Sequence, residues 1–276
     1  MPQKLAEGQV RKMLTRHDAT VAYELPLGDT AVPMNELIGS RLQIDFGGKI
    51  TCVHCDRVTK KSFNQGYCYP CFTRLAQCDS CIVSPEKCHY DQGTCREPEW
   101  GESNCMIDHV VYLANTSGLK VGITRGSQVP TRWMDQGAVQ AMPIFRVATR
   151  LQSGLVEVTF KDHVNDRTNW RAMLKGEVDE LQLSAERDRL LDLVAPEISA
   201  LQDRFGLQAV TVMDAESIEF NYPVREYPTK VASHNLDKTP SVGGLLQGIK
   251  GQYLIFDSGV INMRKYGGYH LSLSAE

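Results

Sequence analysis

All nine cysteines of this 276-residue chain lie between Cys52 and Cys105. Cys52-Val-His-Cys55 and Cys68-Tyr-Pro-Cys71 make the pattern C-x2-C-x12-C-x2-C. Each C-x2-C pair is a knuckle that turns two thiolates toward one ion, and two knuckles complete the tetrahedron that structural zinc prefers. His54 sits inside the first knuckle, but four thiolates already close such a site, so His54 is read as a non-ligand. The residues between the knuckles include Arg57, Lys60, Lys61, Phe63 and Tyr67. Charge and aromatic faces in that combination suit nucleic acid.

A second set follows, in which Cys78, Cys81, Cys88, Cys95, Cys105 and His89 compete for one tetrahedron. The favoured ligands are Cys78, Cys81, Cys88 and Cys95. Cys105 is left as a replacement for Cys95 or as a plain buried thiol. The expectation is therefore two structural zinc ions, with an iron–sulfur cluster at the second set as the alternative, since thiolates suit both. Closed four-thiolate sites are scaffolds, not catalysts. Such a scaffold either braces the fold or holds a loop against nucleic acid or a protein partner.

The elements that must position these residues can be read from periodicity. Ala19–Leu25 and Arg41–Phe46 alternate at period two and read as strands, with turns at Gly28-Asp29 and Gly47-Gly48. Residues 50–106 are rich in Cys, Pro and Gly and poor in apolar runs, so bound metal would have to supply folding energy there. His109–Ala114 and Leu119–Thr124 read as a hairpin around Asn115–Gly118. A helix is expected over Pro130–Gln140, a strand at Phe145–Thr149, and a helix over Ser153–His163. Residues 184–205 carry Leu190, Leu191, Val194, Ile198 and Leu201 at helical spacing, with Ser184 as the expected N-cap. Strand-like text returns at Gln208–Met213, at Ser217–Tyr222, on both sides of Asp257–Gly259, and at Tyr266–Leu273.

The expected fold is α+β, in four parts. Residues 1–49 are β-rich, 50–106 form a cysteine-rich metal-binding domain, 107–205 form an α/β domain with trailing helices, and 206–276 are β-rich. The two β-rich ends are expected to pair in space.

A hydrophobic content of 42%, a charged content of 23% and a net charge of -3 describe an ordinary globular chain without a basic coat. No run of about 18 apolar residues reads as a membrane span, and the N-terminus lacks a signal-type apolar core. A cytoplasmic location is the default expectation, where thiols stay reduced and cysteine pairs more often mean metal than disulfides. Charge is uneven along the chain. Residues 107–175 hold nine Lys and Arg against five Asp and Glu, a local +4, whereas 176–203 hold eight acidic side chains against two basic ones. The first stretch fits a phosphate-facing surface and the second a solvated helix face. Lys250, Arg264 and Lys265 read as a solvated sheet edge, with a second basic patch on the C-terminal strands as the alternative. Thr168–Arg171 reads equally as a substrate contact or as helix-start packing.

Val110-Val-Tyr112 and Lys120-Val-Gly122, two short strands joined by a Gly-containing turn, resemble the half-motifs of the GIY-YIG nuclease superfamily. The likeness spans about residues 107–175. It implies a small sheet flanked by helices and a one-metal phosphodiester-cleaving site. Residue by residue, Tyr112 matches the first-half Tyr and would assist the attacking water. Gly122 matches the second-half Gly, and Arg132 the first-helix Arg that steadies phosphate charge. Glu157 matches the Glu that holds Mg2+ or Mn2+, and Asn169 a late Asn. The chain departs from the pattern where Val110 and Val111 replace Gly and Ile. Lys120 stands for the second Tyr, and Gln136 occupies the place of a His one turn after Arg132. The chemistry is coherent, because such cleavage needs a positioned water, a cation and often a carboxylate-held metal. Arg suits bidentate phosphate contact. Glu157, between Val156 and Val158 on a helix, is expected to need a partner. The whole chain, through CVHC, CYPC, CDSC, GTCREPEW and GIKGQYLIFDSGVINMRK, also resembles an uncharacterised bacterial family.

The function expected is a zinc-binding, divalent-metal-dependent endonuclease acting on DNA or structured RNA. The alternatives are a non-catalytic nucleic-acid-binding or adaptor protein on a degenerate nuclease fold, and an iron–sulfur protein.

Overall fold

The computed structural model describes residues 3–164 and 168–276. Strands β1 (Gln3–Gln9), β2 (Leu14–Arg16), β3 (Ala22–Leu27), β4 (Thr30–Pro33) and β5 (Arg41–Ile50) come first. The cysteine segment has short 3-10 turns and two short helices, α1 (Tyr69–Arg74) and α2 (Pro98–Asn104). Then come β6 (His109–Asn115), β7 (Leu119–Arg125), α3 (Thr131–Asp135), β8 (Gln140–Val147), α4 (Arg150–Phe160), α5 (Trp170–Lys175) and α6 (Leu183–Phe205). The chain ends with β9 (Val210–Val212), β10 (Ile218–Glu219), β11 (Ser241–Lys250), β12 (Tyr253–Phe256), β13 (Gly259–Asn262) and β14 (Tyr269–Ala275). No described helix is long and apolar enough to cross a membrane.

Among the described residues, three antiparallel sheets result. The largest runs β1-β14-β5-β11-β12-β13, so strands from the start of the chain pair with strands from its end. The second runs β10-β8-β6-β7, with β9 also on β8, and the third is β2-β3-β4. Gly47-Gly48 does not make the expected turn. It lies inside β5, where the β14 register slips between Tyr269 and Leu271, and Gly48 has φ 79°. A bulge in a long strand and a turn draw on the same glycine freedom, and only the partner strand distinguishes them.

β6 explains how the layers stack. Every residue of His109–Asn115 is buried, and alternate side chains enter different cores. Val111 and Leu113 pack with Val156 and Phe160 of α4 and with Leu190 and Val194 of α6. Val110, Tyr112 and Ala114 face the other way, toward Trp133, Met134 and the apolar face of the largest sheet. A strand covered on both faces cannot show clean alternation, which is why this one reads as a continuous apolar run. Burying each of these larger side chains contributes roughly 1.5–3 kcal/mol.

The helices start where side chains satisfy their first N–H groups. α4 begins three residues before the expected Ser153 because Thr149 and Gln152 form a reciprocal capping box, with bonds of 3.3 and 3.1 Å. α6 opens after Gln182, so Ser184 is inside the helix and not its cap. The expected helix over Pro130–Gln140 shrinks to five residues, because Gln140 already belongs to β8. A polar network holds this short α3. Lys12 pairs with Asp135 at 2.6 Å, and Gln252 bonds Asp135 at 2.9 Å and the Met13 backbone at 2.8 and 3.0 Å. That network locates the residue one turn earlier, Arg132.

Candidate metal centre and cationic cleft

Cys52 ends a backbone crossing between β5 and the first knuckle. Its N–H donates to Arg57 O at 2.9 Å, and its own carbonyl accepts from Asp56 N at 3.0 Å. Asp56 takes φ 57°, which closes the turn around Cys55. The second knuckle is the start of α1, with Cys68 as the residue before the helix and Cys71 in its first turn. The knuckles are clamped together by Val53 N–H donating to Gly66 O at 2.9 Å. Gly66 is needed there, since a Cβ would stand 2.7 Å from Val53 Cγ1.

The four sulfurs of Cys52, Cys55, Cys68 and Cys71 lie within 4.8 Å of one another. Cys55 and Cys68 stand 3.7 Å apart, close to the roughly 3.8 Å expected between thiolates on a tetrahedral ion with bonds of about 2.3 Å. Cys52, Cys68 and Cys71 are buried and Cys55 is exposed. Burial raises the Cys52 thiol, but N–H groups of Cys68, His54 and Cys55 outweigh it and bring the group down to about 6. Burial and the neighbouring thiols push Cys71 up instead. The tetrad could hold one ion such as zinc. His54 is exposed and outside the group.

The second cysteine set divides differently from the expected one. Cys78 packs with Cys52, Cys68, Cys71 and Leu75, beside the first tetrad. Cys81, Cys88, Cys95 and Cys105 instead line one small cavity. Burial pushes the Cys81 thiol up to about 11, and Cys105 is raised for the same first reason. Asp79, Cys81 and His89 also place one donor atom each within 4.8 Å of the others.

Between the first knuckle, α2 and the turn before β14 lies a cleft of about 620 Å³. Its walls carry Arg11, Lys12, Arg125, Arg150, Arg264 and His54, and none of the described lining residues is acidic. Tyr67 and Trp100 add aromatic surface. A second hollow of about 710 Å³ continues from it through Asn64, Gln65 and Arg264 and adds Lys60, Lys61 and Lys265, with Asp237 as its acid. Arg264 is held by Gln65 at 2.6 Å, and burial followed by the charge of Arg132 makes its protonated form less favourable than usual. A crowded set of cations favours an anion.

The expected solvated edge is overturned for Lys250, whereas Arg264 and Lys265 belong to a basic surface, the alternative reading. Lys250 is buried, with its ammonium 5.4 Å from the ring centres of Tyr222 and Tyr227. Burial lowers it to about 8. Arg264 and Lys265 sit on a 3-10 turn at the cleft.

Of the residues carried over from the nuclease likeness, Tyr112, Arg132 and Glu157 come together from β6, α3 and α4. Burial raises the Tyr112 hydroxyl, Arg132 opposes this by charge and hydrogen bonding, and Glu157 adds to it. The hydroxyl donates to Gln136 Oε1 at 3.1 Å, so Gln136 joins the group at the position where the pattern has His. Gly122 lies opposite Tyr112, where a Cβ would fall 2.7 Å from the phenol oxygen. Tyr112 has no exposed surface. Glu157 is half-buried beside buried Val156, but Val158 is exposed, so the carboxylate is not walled in on both sides as expected. Lys120 is buried and donates to Thr168 Oγ1 at 3.4 Å. Asn169 is exposed and caps α5, its Oδ1 accepting from Ala172 N at 3.3 Å. Trp170 stacks on Tyr253 with ring centres 5.7 Å apart, so the Thr168–Arg171 group serves the start of this helix. The cationic cleft had no signal in the sequence, because its walls come from positions 11, 125, 150 and 264.

No curated protein and no solved structure matches this chain. Residues 39–271, which include both cysteine sets, the Tyr112 strand and most of the largest sheet, match a family model described as protein of unknown function (DUF2797), and the chain belongs to that family.

Proposed function

We propose that this protein binds nucleic acid, with the phosphodiester backbone lying along the cationic cleft and its continuation beside Lys60, Lys61 and Lys265. The observation that carries the reading is the cleft wall of Arg11, Lys12, Arg125, Arg150 and Arg264, in which no described lining residue is acidic, although Lys12 is paired with Asp135. Tyr67 and Trp100 offer faces on which unpaired bases could stack. The first cysteine tetrad supplies one wall, so its metal would act as a scaffold for the ligand surface. A different hollow, at Glu180, Asp214, Glu216 and Glu219, is acidic and would turn a polyanion away. The test is fluorescence anisotropy with single-stranded and duplex DNA and RNA over a range of salt. Affinity should fall steeply with salt, and Arg264→Ala should lower the log–log slope by about one. Binding that ignores salt would end this reading.

A second reading, a divalent-metal-dependent endonuclease, is favoured by the convergence of Tyr112, Arg132 and Glu157 beside that cleft. Arg132 would steady phosphate charge, Glu157 would hold Mg2+ or Mn2+, and the Tyr112 hydroxyl would orient the attacking water. Tyr112 is fully covered, so this reading requires a movement that lets water reach its hydroxyl. Cleavage of mixed substrates with Mg2+ or Mn2+, lost in Glu157→Ala with binding retained, is the expected result for this reading. Equal cleavage by wild type and variant would exclude Glu157 from the chemistry.

A further inference from the structure

We infer that Cys81, Cys88, Cys95 and Cys105 form a second structural metal centre that takes a single zinc ion. The four thiols reach one enclosed cavity from four separate places. Cys81 comes from the 3-10 turn Ser80–Ile82, and Cys88 follows the turn Pro85–Lys87, its N–H donating to Pro85 O at 3.0 Å. Cys95 lies against Gly101, where a Cβ would stand 3.4 Å from its sulfur. Cys105 closes α2, its N–H donating to Gly101 O at 2.7 Å.

The cavity is small, with about 10 Å³ of free space, about what one small particle needs. Zinc commonly takes four thiolates in a closed tetrahedral structural site. Arg150 supplies the second, independent observation. Its Nη2 donates to Ile82 O at 2.6 Å, and its guanidinium is within electrostatic range of Cys81, Cys88 and Cys105. Its Nε is buried with no partner among the described residues. Four thiolates on Zn2+ leave a net charge of about −2, and a buried guanidinium with a spare N–H is the group that would offset it. Such N–H donors around ligating atoms orient a site and tune its affinity.

The competing donors Asp79 and His89 line the same cavity, but both already have partners. Asp79 accepts from Arg96 Nε at 2.8 Å and from Ser80 N at 2.6 Å. His89 bonds Thr94 Oγ1 through Nδ1 at 2.8 Å, and its Nε2 stands 3.5 Å from Asp79. Cys78 belongs to the first core. The ligand spacing is then C-x6-C-x6-C-x9-C, which is not a knuckle pattern.

The experiment is metal analysis of the protein as purified, with zinc-edge X-ray absorption on the same sample. Two zinc ions per chain with an average of four sulfur neighbours each are expected. Cys88→Ser and Cys105→Ser should each reduce the content to one zinc, while Cys78→Ser and His89→Ala should leave two. One zinc per chain in the wild type, or iron with visible absorption, would overturn the proposal. So would a nitrogen or oxygen neighbour in the wild-type spectrum, or retention of both ions in Cys105→Ser. The absorption spectrum needs no variant, so a substitution that fails to fold does not leave the question open.

Discussion

The two cysteine regions contain similar chemistry built in opposite ways. The first tetrad is made by two local turns, Cys52–Cys55 and Cys68–Cys71, each completed by its own backbone hydrogen bonds. Its sulfurs already lie within 4.8 Å of one another. The second set is spread over four turns that meet only because α4 packs on the Pro85–Lys87 turn and α2 folds back over Cys95. A locally built site depends on metal for the order of its own segment, whereas a site assembled by packing depends on its neighbours as well.

The largest effect should come from stripping the first tetrad. Removing its metal with a chelator, or Cys68→Ser, should unfold roughly the segment 50–78, because structural zinc in small domains contributes on the order of 10 kcal/mol. Hydrogen exchange should show that segment losing protection while β11–β13 keep theirs. Protection retained throughout would mean the knuckles are held by packing, and the contrast between the regions would collapse.

An intermediate effect is expected from His109, which opens β6 four residues after Cys105. Burial pulls its pKa from 6.5 down to about 4, with Nδ1 bonded to Ile107 O at 2.7 Å and Nε2 unpartnered. The unfolded chain therefore binds more protons than the folded one between these values. Stability is present above pH 6.5 and is lost as pH falls toward 4, by roughly 3 kcal/mol. Thiolates also protonate in acid, so the readout is the difference between wild type and His109→Gln in denaturant melts. The variant should lack this part of the slope, and identical slopes would refute the assignment.

The smallest effect tests the packing-built region alone. A Cβ on Gly154 would stand 2.3 Å from Glu86 N and 2.6 Å from Pro85 C, both backbone atoms with little freedom to retreat. Gly154→Ala should cost about 1–3 kcal/mol. It should also displace the turn that carries Cys88 while leaving the first tetrad unaffected. Zinc content falling by one ion, with protection of 50–78 unchanged, would sharpen the comparison. A loss of protection in both regions would show that they are coupled.

The elements legible in the sequence were those whose cause is local. The β6–β7 hairpin was expected over the residues where it occurs, and α6 shows the anticipated Leu190, Val194 and Ile198 face. The first tetrad was readable because C-x2-C is itself a turn geometry. Cys78-Asp-Ser-Cys81 has the same spacing, and both were expected in one site, but they face different ones. Asp79 is extended, with φ −69° and ψ 157°, between two 3-10 turns, and it sends Cys78 to the first core and Cys81 to the second cavity. Spacing counts residues and not the direction in which side chains leave. Glycine pairs carried the same ambiguity, as Gly47-Gly48 shows by bulging within a strand.

By itself, then, the sequence determined the metal-capable tetrad, the hairpin that carries Tyr112 and Lys120, and the amphipathic face of α6, because each depends on residues a few positions apart. Only the tertiary structure decided that Cys105 joins Cys81, Cys88 and Cys95 and that Lys250 is buried. It alone brought Arg11, Arg125, Arg150 and Arg264 to one cleft. Those outcomes depend on strands from both ends of the chain pairing in a single sheet and on helices packing across it. The free energy for such long-range contacts comes from buried apolar surface, which has no fixed spacing along the chain.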